Sequence, residues 1–193
     1  KDLARKPEGQ RAFTLAQPDG TYVMENVLFK VSFPAEFHAQ TACEAAVTLH
    51  PQVRDRLHEI EKIVITTHES AIRIISKQGK LANAADRDHC LQYMTAVPLA
   101  FGNLVAEQYE DDFHAAHPII DELREKMHIV EDPRFTREYL EADKRSIANA
   151  IQVFFTDGSS TQQVVVEYPI GHRRRRAQGI VLLEEKFRHN LAT

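Results

Sequence analysis

The feature that most constrains the fold is a pair of β-rich segments near the C-terminal end, separated by a short turn. Residues 147–156 and 161–168 are rich in β-branched side chains, and Asp157-Gly158 lies between them. Such segments joined by about four residues that include a glycine are typical of a β-hairpin. The pattern therefore predicts two neighbouring antiparallel strands.

The remaining periodicity predicts both strands and helices. Ile60–Thr67 alternates apolar and polar residues as a half-buried strand does, and 128–132 is a further candidate strand. Helical spacing predicts three longer helices: 34–49, ended by Pro51; 86–104, kinked or broken at Pro98; and 179–191. Shorter helices are expected at 69–77, 105–111 and 118–127. The fold class expected is α+β, with a small antiparallel sheet of three to four strands and helices on one face.

Composition limits the classes of function. The 193 residues are 43% hydrophobic and 27% charged, which is ordinary for a globular protein. A net charge of −4 gives no reason to expect nucleic acid as a partner. No apolar run approaches the roughly 20 residues that span a bilayer, so no membrane partner is expected. Cys43 and Cys90 lie in apolar helical patterns and indicate buried thiols in a reducing compartment.

The first candidate site flanks Pro34. Lys30 and His38 lie on either side of this proline, which separates an extended segment from a helix. A corner there brings a fixed cation and a group that titrates near neutral pH toward one pocket. The alternative is a solvated lysine and a capping or surface histidine.

The second candidate is a helix start. His89 and Tyr93 are four residues apart and share a face, so they are able to bind an anion and relay a proton. Asp86 and Asp88 precede them. The alternative is that these aspartates cap the helix and the pair packs.

The third candidate follows the second hairpin strand. His172 and Arg173 come directly after Gly171, in a strand-end loop of the kind that carries functional groups. Four arginines occupy 173–176, and the alternative is a solvated cationic loop that pairs with acidic helix residues such as Glu184 and Glu185. No metal site is expected, because His114 and His117 beside Asp111 and Asp112 form only an unspecific cluster.

Six segments resemble the MmgE/PrpD family in its dehydratase branch, in unbroken order from about residue 20 onward. They are Gly20–Lys30, Val31–His38, Ala85–Tyr93, Glu131–Phe135, Lys144–Ala150 and Val165–Arg173. The resemblance implies a two-domain protein with an all-helical domain and an inserted α+β lid. It implies that residues 1–28 are a linker or flank of the helical domain, 29–171 the lid, and 172–193 the crossover loop and returning helix. Since the chain begins at Lys1, we expect a fragment without the N-terminal helical domain, and inactivity alone.

The implied reaction is dehydration of 2-methylcitrate to 2-methyl-cis-aconitate in propionate breakdown, without a cofactor. Two cysteines agree with this, because an iron–sulfur cluster requires three or four thiolates. By motif position, Lys30 is expected to bind a substrate carboxylate and Tyr93 to hydrogen-bond or protonate a substrate oxygen. His38 and His89 are acid/base or supporting candidates, and His172 and Arg173 are substrate-binding candidates.

Two other functions remain open. One is a relative that acts on cis-aconitate or another tricarboxylic acid, as a decarboxylase or isomerase. The other is a non-catalytic dimerisation or interaction module, because the apolar face of the last helix has no evident partner. The resemblance implies a homodimer in the full-length protein. It also implies a cytoplasmic location, or the mitochondrial matrix in a eukaryote.

Overall fold

The structure, a computed structural model, describes residues 31–191. Its strands are β1 (Ile60–Thr67), β2 (Met127–Glu131), β3 (Asn149–Phe155) and β4 (Val164–Val166). Its α-helices are α1 (Gln40–Val53), α2 (Glu69–Ile75), α3 (Ala84–Arg87), α4 (Leu91–Phe101), α5 (Asp111–Ala116), α6 (Ile119–Glu125), α7 (Pro133–Leu140) and α8 (Arg176–Leu191). Single 3-10 turns occupy Phe37–Ala39, Leu57–Glu59, Ala106–Tyr109 and Arg173–Arg175.

The four strands form one sheet in the order β2–β1–β3–β4. The predicted α+β class with four strands is confirmed. β1–β3 and β3–β4 are antiparallel, but β1–β2 is parallel, so the sheet is mixed and not wholly antiparallel. The connection from β1 to β2 explains this difference: it contains helices α2 to α6, and a crossover of that length allows the chain to return in the same direction.

The predicted hairpin is confirmed. β3 and β4 pair antiparallel, and Phe154 bridges Ser160 next to the turn. Gly158 has a positive φ of 81°, and the Asp157 carboxylate accepts a hydrogen bond from the Ser159 backbone nitrogen at 2.8 Å. Glycine thus supplies the positive φ of the turn, and the aspartate carboxylate binds a backbone N–H within it.

Proline fails to end the helices where the sequence suggested. α1 continues past Pro51 to Val53, and α4 continues through Pro98 to Phe101. Pro98 has no N–H for the Met94 carbonyl four residues before it, but the Cys43 thiol donates to that carbonyl at 3.2 Å. A side chain from α1 therefore replaces the hydrogen bond that the helix lacks.

The predicted long helix is interrupted before α4. Asn83 caps α3, which ends at Arg87, and a separate helix begins at Leu91. Arg87 is buried, and its guanidinium donates to the Tyr109 carbonyl at 2.6 Å and pairs with Asp111. These contacts hold the Arg87 guanidinium in the interior at the residue where α3 ends.

The core lies between the sheet and the helices that cover it. α1 packs against α4 on one side and against β3 and β4 on the other. Cys43 and Cys90 are both free and buried, as expected, and burial raises the pKa of the Cys43 thiol. α7 has no counterpart among the elements expected from sequence, although Asp132 caps it and Pro133 occupies its first turn.

α8 is held close to the preceding loop by two glycines. A Cβ on Gly179 would lie 2.6 Å from the Gly171 Cα atom, and Gly171 itself has a φ of 96°. Real Cβ atoms do not approach backbone so closely. The predicted helix over 179–191 is confirmed, and it begins three residues earlier than expected.

We therefore expect Gly179→Ala to destabilise the chain by about 1–3 kcal/mol, because the added methyl group must push α8 away from Gly171. Alanine is intrinsically the better helix former, so propensity alone predicts the opposite sign. Urea unfolding measures the change, with Val181→Ala at an exposed position of α8 as the control. Equal or higher stability of Gly179→Ala would contradict the close approach.

Candidate active site around His38

The corner at Pro34 places Glu36 and His38 at the start of α1. Glu36 caps the Phe37–Ala39 turn, and its carboxylate accepts a hydrogen bond from the His38 backbone nitrogen at 2.8 Å. The same carboxylate lies 3.0 Å from His38 Nδ1. Burial raises the pKa of Glu36, but the hydrogen bonds from His38 outweigh burial and hold that pKa below its ordinary value. Glu36 is therefore ionised and orients the imidazole.

The second nitrogen of the same imidazole contacts α7. His38 Nε2 lies 3.2 Å from the Tyr139 hydroxyl, across 101 positions of sequence. His38 is buried, and Tyr139 is only half-buried. The arrangement of carboxylate, imidazole and hydroxyl is one that can take up and return a proton.

His68 completes a cluster of aromatic rings. Its ring stacks on Tyr139 with centroids 4.6 Å apart and planes at 13°, and it lies 5.2 Å from the His38 ring. Burial, helped by the nearby His38 and opposed by Glu36, lowers the pKa of His68 to about 4. His68 is therefore neutral near pH 7. We call Glu36, His38, His68 and Tyr139 the His38 cluster.

Buried polar groups surround the His38 cluster at one end of the sheet. Asn149, the first residue of β3, donates to the His38 carbonyl and to the Thr41 hydroxyl, both at 2.8 Å. Several buried polar atoms here have no hydrogen-bond partner among the described residues: His68 Nδ1 and Nε2, Thr67 Oγ1, Ser146 Oγ and Asn149 Oδ1. Each such atom costs about 1–3 kcal/mol if it stays unpaired. This end of the sheet thus has hydrogen-bonding capacity beyond what residues 31–191 use.

The other predicted site residues lie in separate surroundings. Tyr93 is fully buried, and its hydroxyl donates to the Gln108 carbonyl at 2.6 Å. Burial raises the pKa of Tyr93 to about 12. His89 is exposed and lies 2.5 Å from the carboxylate of Asp88. None of the contacts within residues 31–191 joins Tyr93 or His89 to His38, and their catalytic roles stay predictions.

His172 and Arg173 lie in the loop before α8. His172 is buried, its Nδ1 accepts a hydrogen bond from the Arg174 backbone nitrogen, and its ring contacts Tyr168 at 4.6 Å. Arg173 is exposed and donates to the Asp143 carbonyl at 3.1 Å. Their substrate-binding roles stay predictions. Lys30 lies outside the described residues, next to Val31.

The arginine run pairs differently from the expectation. Arg175 forms a bidentate ion pair with Glu44 of α1, at 2.8 and 2.7 Å. Glu184, which was expected to pair with the run, lies 3.2 Å from Arg188 one turn later in α8. Because Arg175 reaches back to α1, it ties the start of α8 to the core.

Two cavities of about 520 Å³ lie apart from the His38 cluster. One is polar and includes Lys77, Arg124 and Asp121 in its wall, but Arg124 pairs with Asp121 and donates to the Gly79 carbonyl. The other lies between Phe33 and the inner side of α8. Two charged groups of the first cavity, Arg124 and Asp121, are thus paired within the wall itself.

No group of three or more His, Cys, Asp or Glu side chains within residues 31–191 is placed to hold a metal ion. His114 instead lies 2.9 Å from Asp121, and His117 Nδ1 donates to the Phe113 carbonyl at 2.7 Å. No described helix is long and apolar enough to cross a membrane.

Three members of the His38 cluster were not among the site residues predicted from sequence: Glu36, which lies in the same proline corner as His38, His68 and Tyr139. His68 directly follows β1, and the end of a strand is a common place for functional side chains, so this signal was available. Tyr139 lies in α7, where no helix was expected. Only the tertiary fold brings it to His38.

Comparison with known proteins decides the family. Residues 33–193 match a family model described as "MmgE/PrpD C-terminal domain". The chain belongs to the MmgE/PrpD family. The resemblance of the six sequence segments is thereby confirmed.

The MmgE/PrpD relatives similar to this chain include bacterial and fungal proteins. "2-methylcitrate dehydratase" of Salmonella typhimurium strain LT2 is 60% identical over 183 residues, which cover 93% of this chain and 38% of the relative. The protein of the same name from Escherichia coli strain K12 is 58% identical over 184 residues, covering 94% and 38%. "2-methylcitrate dehydratase, mitochondrial" of Yarrowia lipolytica is 53% identical over 186 residues, covering 95% and 36%. The chain thus spans under two-fifths of the length of these relatives.

The lowered pKa of His68 predicts a pH-dependent stability. In the unfolded chain His68 binds a proton below its ordinary pKa of 6.5, whereas in the folded chain it stays neutral down to about 4. The unfolded state therefore binds more protons between these values, and the free energy of unfolding falls as the pH drops from 6.5 toward 4. His172, whose pKa is also lowered by burial, adds to the same slope.

Replacement of His68 by phenylalanine removes this group and retains an aromatic ring. Between pH 6.5 and pH 5, we expect the free energy of unfolding measured with urea to fall less in His68→Phe than in the unchanged chain. The exposed His58 serves as the control, since His58→Asn should leave the slope unchanged. An identical slope in His68→Phe would show that His68 is not buried as a neutral group.

Proposed function

We propose that this chain is the C-terminal part of a cofactor-independent hydro-lyase that dehydrates 2-methylcitrate to 2-methyl-cis-aconitate in propionate catabolism. The observation that carries the proposal is the 58–60% identity to bacterial relatives named 2-methylcitrate dehydratase, over more than nine-tenths of the chain. Identity at this level over a whole domain supports a shared substrate more strongly than a shared fold does.

The His38 cluster has the chemistry that the proposed reaction needs. Loss of water next to a carboxylate requires that a proton leave carbon and that the departing hydroxyl gain one. His38 is the residue we assign to proton transfer, because Glu36 holds its Nδ1 at 3.0 Å and Nε2 lies 3.2 Å from the Tyr139 hydroxyl. The Lys30 ammonium, eight positions before His38, is assigned to a substrate carboxylate.

The remainder of the proposed site comes from outside the chain. We assign residues 1–28 to a flank of an N-terminal helical domain, 29–171 to the α+β lid, and 172–193 to the crossover loop and returning helix. The coverage of 38% of the relatives leaves room for such a domain. The buried polar atoms near His38 that have no partner within residues 31–191 also need hydrogen-bond partners from outside those residues. A homodimer is the proposed assembly.

The proposed location follows the relatives. A bacterial source would place the protein in the cytoplasm, and the name of the Yarrowia lipolytica relative supports the mitochondrial matrix for a eukaryotic one. A related activity on cis-aconitate or another tricarboxylic acid remains the alternative substrate. A panel of 2-methylcitrate, citrate and cis-aconitate, each at equal concentration, separates these substrates by kcat/KM.

The activity test places substitutions in the full-length protein that contains this chain. We expect His38→Gln to lower kcat by about 10²–10⁴-fold, because a general acid/base group contributes by that factor. The measurement is the ultraviolet absorbance of the unsaturated product. His58→Asn is the matched control, since His58 is an exposed histidine whose ring lies 3.6 Å from Glu122, which is not part of the His38 cluster. Unchanged kcat in His38→Gln would rule out the assignment of His38.

A second function is favoured by the outer face of α8. Ile180, Leu183, Phe187 and Leu191 are spaced by three or four residues, so they share one face, and each is at least 37% exposed. Contiguous exposed apolar side chains are typical of a surface that meets another protein. This face supports an interaction or dimerisation role for the isolated chain. In the full-length protein the same face is proposed to contact the helical domain.

We expect the isolated 193-residue chain to self-associate through this face. Phe187→Glu should shift the mass measured by light scattering from oligomer to the 22.0 kDa monomer, since a carboxylate cannot be buried there unpaired. Lys186→Glu, on the neighbouring exposed position, is the control. A chain that is monomeric before any substitution would exclude the self-association role.

A further inference from the structure

The tautomer of His38 follows from its neighbours. Nδ1 lies 3.0 Å from both oxygens of the Glu36 carboxylate, whose lowered pKa keeps it ionised. A carboxylate only accepts hydrogen bonds, so Nδ1 must carry the proton. In the neutral ring Nε2 then holds the lone pair, and the Tyr139 hydroxyl at 3.2 Å is the donor to it.

Tyr139 is itself fixed by what packs on it. Its ring stacks on His68 at 4.6 Å, nearly parallel, and His68 is fully buried directly after β1. His68 in turn lies 5.2 Å from the His38 ring, and Tyr139 lies 5.6 Å from it. Three rings from three separate segments therefore restrain one another.

The stacked pair has no other evident role in the described contacts. Neither ring nitrogen of His68 has a hydrogen-bond partner within residues 31–191, and the Tyr139 hydroxyl contacts only His38 there. A phenylalanine at position 68 would fill the same space without burying unpaired nitrogens. The contribution of His68 to this geometry is therefore the flat face of its ring.

We propose that Tyr139 is a positioning residue for His38, with His68 as its support. Tyr139 holds the plane of the imidazole and the direction of the Nε2 lone pair, so that His38 meets the substrate in one orientation. The proposal rests on the proposed function, since it assigns a role in the proton transfer given there to His38. Misplacement of a reacting group by about 1 Å costs about 10²-fold in rate, which sets the size of the expected effect.

The kinetic test uses the full-length protein with 2-methylcitrate. Tyr139→Phe keeps the ring and removes the hydroxyl, so kcat should fall by about 10²-fold while KM stays within about twofold. Tyr168→Phe is the matched control, because Tyr168 is also half-buried and packs on a histidine ring, that of His172. An unchanged kcat overturns the proposal, and so does a raised KM with kcat unchanged, which would make Tyr139 a substrate contact.

Two substitutions at position 68 distinguish a role of the His68 ring in stacking from a role of its nitrogens in catalysis. His68→Phe preserves a stacking ring and should lower kcat less than His68→Ala does. His68→Ala removes the stack and should lower kcat as Tyr139→Phe does. A large loss of kcat in His68→Phe would contradict the supporting role, because a nitrogen of His68 would then be required.

A spectroscopic test does not depend on turnover. Nitrogen-15 NMR of the 193-residue chain reports whether His38 carries its proton on Nδ1, with the signal assigned by its loss in His38→Gln. We expect one Nδ1–H form in the unchanged chain and a mixture or broadened signal in Tyr139→Phe. If the full-length protein shows no turnover, the proposed function fails, and the NMR result still decides the positioning role. An unchanged His38 signal in Tyr139→Phe overturns it.

Discussion

The contact on which the candidate site depends is the buried amide of Asn149. It joins the first residue of β3 to the His38 carbonyl and the Thr41 hydroxyl, and Thr41 in turn donates to the Ile147 carbonyl. These bonds lie where water does not compete, so their loss would leave several buried groups unpaired. They fix the start of α1 against the end of the sheet, and hence the backbone that carries Glu36 and His38.

The polar groups at this sheet end are costly to bury, which argues for a reason beyond stability. Within residues 31–191, His68 makes no hydrogen bond and the Asn149 side-chain oxygen has no donor, and both lower the free energy of unfolding relative to apolar side chains of similar shape. The opposite end of β3 carries an ordinary tight turn whose Asp157 is fully used by Ser159 and Arg56. The contrast between the two ends of one strand supports the proposal that the site lies at the Asn149 end.

Local signals in the sequence were enough for β1 and for the turn at Asp157-Gly158, because alternation and turn chemistry act within a few residues. They failed where a distant group intervened. Pro98 was expected to kink or break its helix; the helix does not break there, and the Cys43 thiol supplies the missing hydrogen bond. The parallel pairing of β2 and the contact of Tyr139 with His38 likewise depend on the path of the intervening chain, which no local pattern encodes. His38 was found because it adjoins a proline corner, a local feature.

Two surfaces formed by the described residues have properties typical of contact surfaces, and they differ in chemistry. The outer face of α8 is apolar, so it is satisfied by any well-packed protein surface, including a second copy of the chain. The sheet end near His38 is polar and demands specific donors and acceptors, which a second copy would have to present in matching geometry. Association of the isolated chain through α8 therefore would not complete the His38 cluster. A partner that presents matching donors and acceptors at the sheet end would complete the His38 cluster, whether or not it also covers α8.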